Sequence, residues 1–171
     1  MVESNPGFNV ITQRELNMRG NENVIAVLNE ALKEELTAIN QYFIHAEMCE
    51  NWGFEKLGGS IRQLSIAEMK HAEALIERIL FLDGIPKMAD LVSLNVGQDV
   101  KTQIENDLKL ELGAVAMYNA AAQKAVEAGD NASRELFARL LKDEEAHTDW
   151  FQTQLHMIKD VGIENYLAQQ V

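Results

Sequence analysis

The sequence has one cysteine and two prolines, and both scarcities narrow the choice of fold. Cys49 has no partner within the chain, so an intrachain disulfide and a thiolate metal cluster are excluded. It follows Met48 in a helical stretch and is interpreted as a small packing residue. Pro6 and Pro86 are the only prolines, which leaves long stretches free to form uninterrupted helix.

Basic charge and long apolar runs are also scarce. The chain carries 15 Lys and Arg against 27 Asp and Glu, a formal net charge of −12. Such a chain is poorly suited to binding nucleic acid, and its favoured partners are metal ions or basic proteins. No run approaches the roughly 18 apolar residues of a membrane span, and residues 1–17 lack the apolar segment of a secretory signal. We therefore expect a cytoplasmic protein with no membrane or nucleic-acid partner.

What the sequence does contain is a set of long helical patterns. No segment alternates as a strand, whereas apolar residues recur at helical spacing. The first pattern has a stripe made of Val24, Val27, Leu28, Ala31, Leu32, Leu36, Ile39 and Phe43. The predicted helices cover about 22–51, 55–82, 100–128 and 132–161, with a short fifth helix over about 163–168. Gly84 and Pro86 end the second helix, and Asp130 or Asn131 caps the fourth.

The lengths of the connections predict the topology. The first and second helices, and the third and fourth, are joined by only a few residues, which makes each pair antiparallel neighbours. About fifteen residues, 85–99, join the second helix to the third. Extended, they reach ~50 Å, enough to return along a helix of ~42 Å. The predicted fold is therefore all-α: a ferritin-like four-helix bundle with a long crossover between the second and third helices and a short C-terminal fifth helix.

An internal repeat of chemical groups is the strongest feature of the sequence. Glu68 and His71 form a Glu-x-x-His pair on the second helix, and Glu144 and His147 form another on the fourth, 76 residues later. The same offset relates four further pairs: Glu35 to Glu111, Leu36 to Leu112, Ala38 to Ala114, and Tyr42 to Tyr118. Each helical hairpin therefore supplies one lone glutamate and one Glu-x-x-His.

This set of residues predicts a site for two metal ions. Residues three apart share a helix face, so each Glu and its His can reach one ion. Leu32, Leu36 and Leu108 surround the lone glutamates with apolar residues. Four carboxylates in such a core repel one another unless protons or cations neutralise them. Two divalent cations would balance the four charges, and carboxylate plus imidazole ligands suit iron or manganese.

The plainer interpretation is a set of solvated glutamates on amphipathic helices. That interpretation is the better one for any single Glu-x-x-His, because glutamate is abundant in this chain. It does not explain six residues that recur at one offset on four predicted helices.

Several segments resemble the bacterioferritins, the haem-containing bacterial ferritins. The resemblance is carried by the sequences ELTAINQYF at 35–43, EMKHA at 68–72, IERILFL at 76–82, LNVG at 94–97, DEEAH at 143–147 and ENYL at 164–167. It runs from about residue 18 to the C-terminus, which leaves residues 1–17 as an N-terminal extension. It implies a hollow 24-subunit shell, oxidation of Fe(II) to Fe(III) by O2 or H2O2, a ferric mineral, and haem b between paired subunits.

The resemblance also assigns roles to individual residues. It implies two iron ions per subunit, with Glu68 and Glu144 between them. The implied ligands are Glu35, Glu68, His71, Glu111, Glu144 and His147. Tyr42 matches a tyrosine beside the site, implied as a one-electron donor, although a buried tyrosine with a satisfied hydroxyl is the simpler role. Without the resemblance, Met69 would be interpreted as a packing residue. The resemblance makes it the haem ligand, one from each of two subunits, with a bacterioferritin-associated ferredoxin as electron donor.

Two positions depart from the family pattern, and other residues keep plain roles. Gln63 and Ala67 stand where some bacterioferritins have a histidine and an aspartate facing the cavity, so an inner-surface iron site there is not expected. His45 and His156 are interpreted as structural or surface residues. Tyr118 has no role implied by the family.

Three functions remain open at this stage. The first is an iron-storage ferroxidase. The second is a haem-carrying shell subunit whose iron oxidation is secondary, against which the intact set of six ligands argues. The third is a di-iron oxygenase or peroxidase of the wider ferritin-like group, whose members lack the haem methionine and the assembly motifs. The runner-up overall is an iron-detoxifying peroxidase acting mainly with hydrogen peroxide. Aerobic Fe(II) oxidation and particle size in solution distinguish them.

Overall fold

The computed structural model describes residues 20–171, and the predicted extension at residues 1–17 lies outside that range. The helices are α1 (Glu22–Asn51), α2 (Glu55–Phe81), α3 (Val100–Glu127), α4 (Asn131–Val161) and α5 (Ile163–Leu167). Residues 20–171 contain no strand. The prediction of an all-α fold with four long helices and one short one is confirmed, with helix bounds that agree to within one residue at every end. Among the described helices, none combines the length and apolar character needed to cross a bilayer.

Side-chain caps fix where two of the long helices begin. Asp99 Oδ1 accepts a hydrogen bond from the Thr102 backbone N–H at 2.9 Å. Asp130 Oδ1 accepts one from the Ser133 backbone N–H at 3.0 Å. Of the two predicted candidates, Asp130 and Asn131, it is therefore Asp130 that caps α4. Asp130 also pairs with Arg78 of α2 at 2.7 Å. The cap of α4 is therefore tied to the opposite helix as well as to its own first turn.

Contacts between α1 and α3 show the relative direction of the helices. Three hydrogen-bonded pairs follow one another along the two helices: Tyr42–Glu111, His45–Asp107 and Cys49–Gln103. Residue numbers rise along α1 as they fall along α3, so these helices are antiparallel. The short turn at 52–54 makes α1 and α2 antiparallel as well. Therefore α2 and α3 run parallel, as the loop lengths predict.

The crossover, residues 82–99, is held along α1 by side chains of that helix. Four backbone N–H groups of the crossover donate to α1 side chains: Lys87 to Asn29 at 2.8 Å, Val92 to Thr37 at 2.9 Å, Asn95 to Gln41 at 2.8 Å and Gly97 to His45 at 3.0 Å. Each of the four accepting residues is buried. A segment without regular structure therefore has internal partners for its backbone and covers one side of the bundle.

Apolar side chains form two core clusters, one toward each end of the bundle. One contains Leu28, Leu75 and Phe137, and the other contains Ile61 and Phe151. On each long helix, the glutamates and histidines of the predicted metal site lie between the two clusters in sequence. The polar centre is therefore shielded by hydrocarbon on both sides.

The predicted apolar stripe of α1 fails at its last residue. Phe43 is 48% exposed in the described chain, and the guanidinium carbon of Arg62 lies 5.5 Å from its ring centroid. Its neighbour Tyr42 points into the bundle, and successive residues are about 100° apart around a helix. Both side chains cannot face the same core, and the tyrosine occupies it.

We predict that Gly97→Ala destabilises the protein. A Cβ at this position would clash with the backbone nitrogen of Gln103, and backbone cannot move aside as a flexible side chain does. The expected cost is about 1–3 kcal/mol, measured by urea unfolding followed by circular dichroism. The matched control is Gly113→Ala in α3, where a Cβ meets nothing within 4 Å. That variant should gain up to about 1 kcal/mol, and equal effects of the two changes would contradict the steric argument.

Candidate metal centre

Each long helix presents carboxylate or imidazole groups to the centre of the bundle. α1 and α3 contribute one glutamate each, and α2 and α4 contribute a glutamate and a histidine three residues apart. The six residues are Glu35, Glu68, His71, Glu111, Glu144 and His147, and the structure brings all of them together. None of the four glutamates is more than 3% exposed. Such burial of carboxylates is rare unless they are paired or neutralised.

The six side chains form two overlapping groups of four. Glu35, Glu68, His71 and Glu144 offer atoms within 4.8 Å of one another, and so do Glu68, Glu111, Glu144 and His147. We call these the first and second quartets. Glu68 and Glu144 belong to both, so these two glutamates lie between the quartets.

Distances show how the shared glutamates face both histidines. Glu68 Oε2 lies 2.8 Å from His71 Nδ1, and its Oε1 lies 2.9 Å from His147 Nδ1. Glu144 repeats this arrangement, with Oε1 2.9 Å from His71 Nδ1 and Oε2 3.5 Å from His147 Nδ1. Each shared carboxylate thus turns one oxygen toward each imidazole. The two rings are nearly parallel, with centroids 5.9 Å apart.

The two remaining glutamates belong to one quartet each and are held by tyrosines. Glu35 Oε2 lies 3.6 Å from His71 Nδ1, and Glu111 Oε1 lies 3.7 Å from His147 Nδ1. The Tyr42 hydroxyl donates to Glu111 Oε1 at 2.5 Å. The Tyr118 hydroxyl donates to Glu35 Oε1. Sequence reasoning gave Tyr118 no role, although the 76-residue offset from Tyr42 signalled it.

Several buried polar atoms of the centre lack a hydrogen-bond partner in the described part of the chain. They are Glu68 Oε1 and Oε2, His71 Nδ1, Glu111 Oε2, Glu144 Oε1 and His147 Nδ1. All of them except Glu111 Oε2 lie at ion-pair distance from another atom of the set, without the alignment of a hydrogen bond. Buried polar atoms without such partners are uncommon, and all six are atom types that coordinate cations. The donor set therefore fits two metal ions that carboxylate oxygens and imidazole nitrogens would hold.

Burial and mutual contact shift the pKa of most of these groups. Burial raises the pKa of Glu35 and Glu111 well above the ordinary range. Burial alone would lower the pKa of His147, but contacts with Glu144 and Glu68 outweigh it and raise the pKa to about 9. The pKa of His71 is raised in the same way, against its burial, by Glu144, Glu35 and Glu68. Without metal, the centre therefore holds protons that offset its carboxylate charge.

Known proteins are similar in sequence to this chain over most of its length. The ferritin-like domain family matches residues 25–161. The bacterioferritin of Mycolicibacterium paratuberculosis is 44% identical over 154 residues, which cover 90% of this chain and 97% of that protein. The chain belongs to the bacterioferritin family. The bacterioferritins of Brucella melitensis and Rhodobacter capsulatus are 42% and 40% identical over 149 residues, which cover 87% of this chain and 92% of each. The resemblance inferred from the motifs is confirmed, and bacterioferritins are an iron-storage family.

Met69, the predicted haem ligand of this bacterioferritin, lies outside the centre. It stands between two inward-facing ligand candidates on α2, yet it is 45% exposed. Ile66, three residues earlier on the same face, is 37% exposed. The predicted outward direction of Met69 therefore agrees with the structure, and its haem role stays a prediction.

A surface cavity gives access to the outer nitrogens of the two histidines. It has a volume of about 550 Å³ and lies between α2 and α4, with Ala67, His71, Asp143 and His147 among its lining residues. Asp143 Oδ2 lies 3.5 Å from His71 Nε2. Position 67 is related to position 143 by the 76-residue offset, and it carries alanine. The surroundings of the outer nitrogens are therefore unequal, because Asp143 lies beside Nε2 of His71 and the position related to it by the offset has no carboxylate. Gln63 is exposed nearby on α2.

We predict that metal binding at this bacterioferritin centre releases protons. The pKa of His71 is raised and that of His147 is about 9, so both imidazoles are charged at pH 7 and must lose a proton to coordinate. Anaerobic Co(II) titration with a pH-indicator dye should show at least two protons released per loaded subunit at pH 7. Affinity should fall as the pH is lowered, because protons compete with the metal.

The control for this titration is His156→Ala. His156 is exposed on α4 and lies 3.2 Å from Asp160, away from both quartets, so the proton count should stay the same. Metal binding with no proton release at pH 7 would contradict the raised pKa values.

Proposed function

We propose that this chain is the ferroxidase subunit of a bacterial iron-storage shell. It would oxidise Fe(II) to Fe(III) with O2 or H2O2 and deposit a ferric mineral inside a hollow assembly of 24 subunits. The observation that carries this proposal is the pair of quartets that share Glu68 and Glu144. Two metal positions joined by common carboxylates suit the oxidation of two Fe(II) ions together.

The six residues would bind iron at two positions, one in each quartet. Glu35 and His71 would serve the first quartet, and Glu111 and His147 the second. Glu68 and Glu144 would be ligands in both quartets, because each has one oxygen near His71 and the other near His147. Two Fe(II) ions held here would each lose one electron, so the site would supply two electrons to O2 or H2O2. Two divalent cations match the four carboxylates in charge, which removes the repulsion that the buried glutamates would otherwise suffer.

Tyr42 is proposed as a one-electron donor at this centre. Its ring is fully buried, and its hydroxyl donates to Glu111 Oε1 at 2.5 Å. Burial and the neighbouring Glu111 raise the pKa of Tyr42 well above the ordinary value, so the phenol keeps its proton at neutral pH. The phenol therefore lies directly against a proposed ligand, where an electron can be supplied over a short distance.

We predict that Glu68→Ala and His147→Ala each abolish rapid Fe(II) oxidation. Loss of a residue that supports a metal site commonly costs about 10–100-fold, and loss of a ligand should cost at least as much. The measurement is the initial rate of aerobic Fe(III) formation by stopped-flow absorbance. Size-exclusion chromatography should show an unchanged assembly, because both side chains face the interior of one bundle.

The matched control is Glu145→Ala. Glu145 follows Glu144 on α4 but is exposed to solvent, so oxidation should proceed at the rate of the unmodified protein. Rapid oxidation by both ligand variants would remove these residues from the proposed site.

The exposed face around Met69 supports a haem site shared by two subunits. Met69 and Ile66 form an apolar surface on α2, and Phe43 of α1 is also 48% exposed. One thioether per chain supplies one axial ligand, so a two-fold partner would be needed to supply the second. We propose one haem b per subunit pair, ligated by Met69 from each. A bacterioferritin-associated ferredoxin would supply electrons to this haem for iron release.

We predict that Met69→Leu loses haem and keeps ferroxidase activity. The substitution conserves volume, so any loss of stability should stay below about 1.5 kcal/mol. Haem content is measured by the Soret absorbance of protein reconstituted with haem b. Met88→Leu is the control, because Met88 is also exposed, at 54%, and lies on the crossover. An unchanged haem spectrum in Met69→Leu would exclude this methionine as the ligand.

A further inference from the structure

The two tyrosines of the centre form a reciprocal pair across α1 and α3. Tyr42 of α1 donates its hydroxyl hydrogen bond to Glu111 of α3, and Tyr118 of α3 donates to Glu35 of α1. Each tyrosine stands seven residues, or about two turns, beyond the glutamate of its own helix. Because α1 and α3 are antiparallel, each tyrosine thereby reaches the glutamate of the opposite helix. The hydrogen bonds obey the same two-fold relation as the glutamates.

Tyr118 is buried in an apolar environment, and its hydroxyl forms a hydrogen bond there with one carboxylate. The residue is 0% exposed, and its ring packs 6.1 Å from the ring of Phe137. A phenylalanine would fill this space without placing a hydroxyl in the core, where an unbonded polar group costs free energy. The hydroxyl bonds to a single atom, Glu35 Oε1.

That bond determines which oxygen of Glu35 faces the first quartet. With Oε1 occupied by Tyr118, it is Oε2 that lies 3.6 Å from His71 Nδ1. A carboxylate in an apolar pocket with no such bond is free to rotate about its terminal torsion, which has a broad range. One hydrogen bond thus leaves one oxygen for a cation and holds it at a fixed angle.

We propose that Tyr118 is a positioning residue of the metal centre, which holds Glu35 so that its other oxygen faces the first quartet. Tyr42 fixes Glu111 at the second quartet in a different way, because it bonds the same oxygen, Oε1, that lies 3.7 Å from His147 Nδ1 and leaves Oε2 without a partner. This inference rests on the proposed function, because it takes the six residues to be metal ligands. Its particular content is that each tyrosine governs one metal position. The two positions should therefore respond separately to loss of the two hydroxyls.

The test compares three Tyr→Phe variants, each of which removes only a hydroxyl. Tyr118→Phe and Tyr42→Phe change the two quartets. Tyr166→Phe is the matched control. That hydroxyl is also buried, but it bonds to Gln154 at 3.0 Å, in the C-terminal part of α4 and outside both quartets. Crystals of each full-length protein are equilibrated anaerobically with graded Co(II), and the anomalous signal gives the occupancy at each quartet. Anaerobic Co(II) absorbance titration gives the affinities in solution.

Tyr118→Phe should weaken Co(II) binding at the first quartet by about 10-fold or more, with the second quartet unchanged. Tyr42→Phe should show the opposite selectivity, and Tyr166→Phe should leave both positions unchanged. Lower stability of Tyr118→Phe with unchanged occupancy would overturn the inference and assign the residue to packing. Equal weakening at both quartets would overturn it as well.

The outcome for the unmodified protein separates this inference from the proposed function. Absence of Co(II) from both quartets in that protein would refute the metal centre itself, and the role of Tyr118 with it. Normal loading of the unmodified protein together with normal loading of Tyr118→Phe would refute the role of Tyr118 alone. Size-exclusion chromatography and the Tm of each variant, measured beside the unmodified protein, establish that the compared chains are equally folded.

Discussion

Repulsion among four carboxylates buried within a few ångströms of one another is the constraint on which the rest of this structure depends. Glu35, Glu68, Glu111 and Glu144 are nearly inaccessible to solvent, so water cannot screen their charges. Without metal, two imidazolium groups and the raised pKa of Glu35 and Glu111 offset the charge. On metal binding, the same groups would give up their protons. The fold therefore tolerates the centre in two charge-balanced states.

Long helices follow from this constraint. The polar groups must lie between two apolar clusters, so each helix needs hydrocarbon residues on both sides of its ligand candidates. α1 illustrates this, with Leu28 in the cluster before Glu35 and Ala46 in the cluster after it. A shorter helix would expose the carboxylates to solvent at one end, and their pKa shifts would diminish.

The crossover stabilises the same region by a separate network of buried polar groups. Gly97 N–H donates to His45 Nε2, so that nitrogen is unprotonated and Nδ1 carries the proton toward Asp107, 2.9 Å away. Gln41 also donates to Asp107 at 2.8 Å. Asp107 lies one turn before Glu111 on α3, so this network fixes the helix close to a ligand candidate. His45, interpreted from the sequence as a structural residue, has that role here.

Much of this arrangement could be predicted because it depends on spacing along single helices. Residues three apart share a face, and a common offset of 76 residues relates the two hairpins, so the six residues of the centre were found together. Contacts between helices could not be predicted in the same way. The bond from Tyr118 to Glu35 depends on how far α3 is displaced along α1, and periodicity carries no information on that displacement. The exposure of Phe43 follows from which of two adjacent aromatic residues faces the core, and that residue is Tyr42, which bonds to Glu111 of α3.

The division of the quartets between the two hairpins bears on how such a centre can arise. The α1–α2 hairpin supplies three members of the first quartet and only Glu68 to the second. The α3–α4 hairpin supplies three members of the second and only Glu144 to the first. Neither hairpin completes a quartet alone, yet two copies of either one, related by a two-fold axis, would complete both. The two hairpins are therefore equivalent in the ligand candidates that they supply, and the crossover is the segment that joins them in one chain.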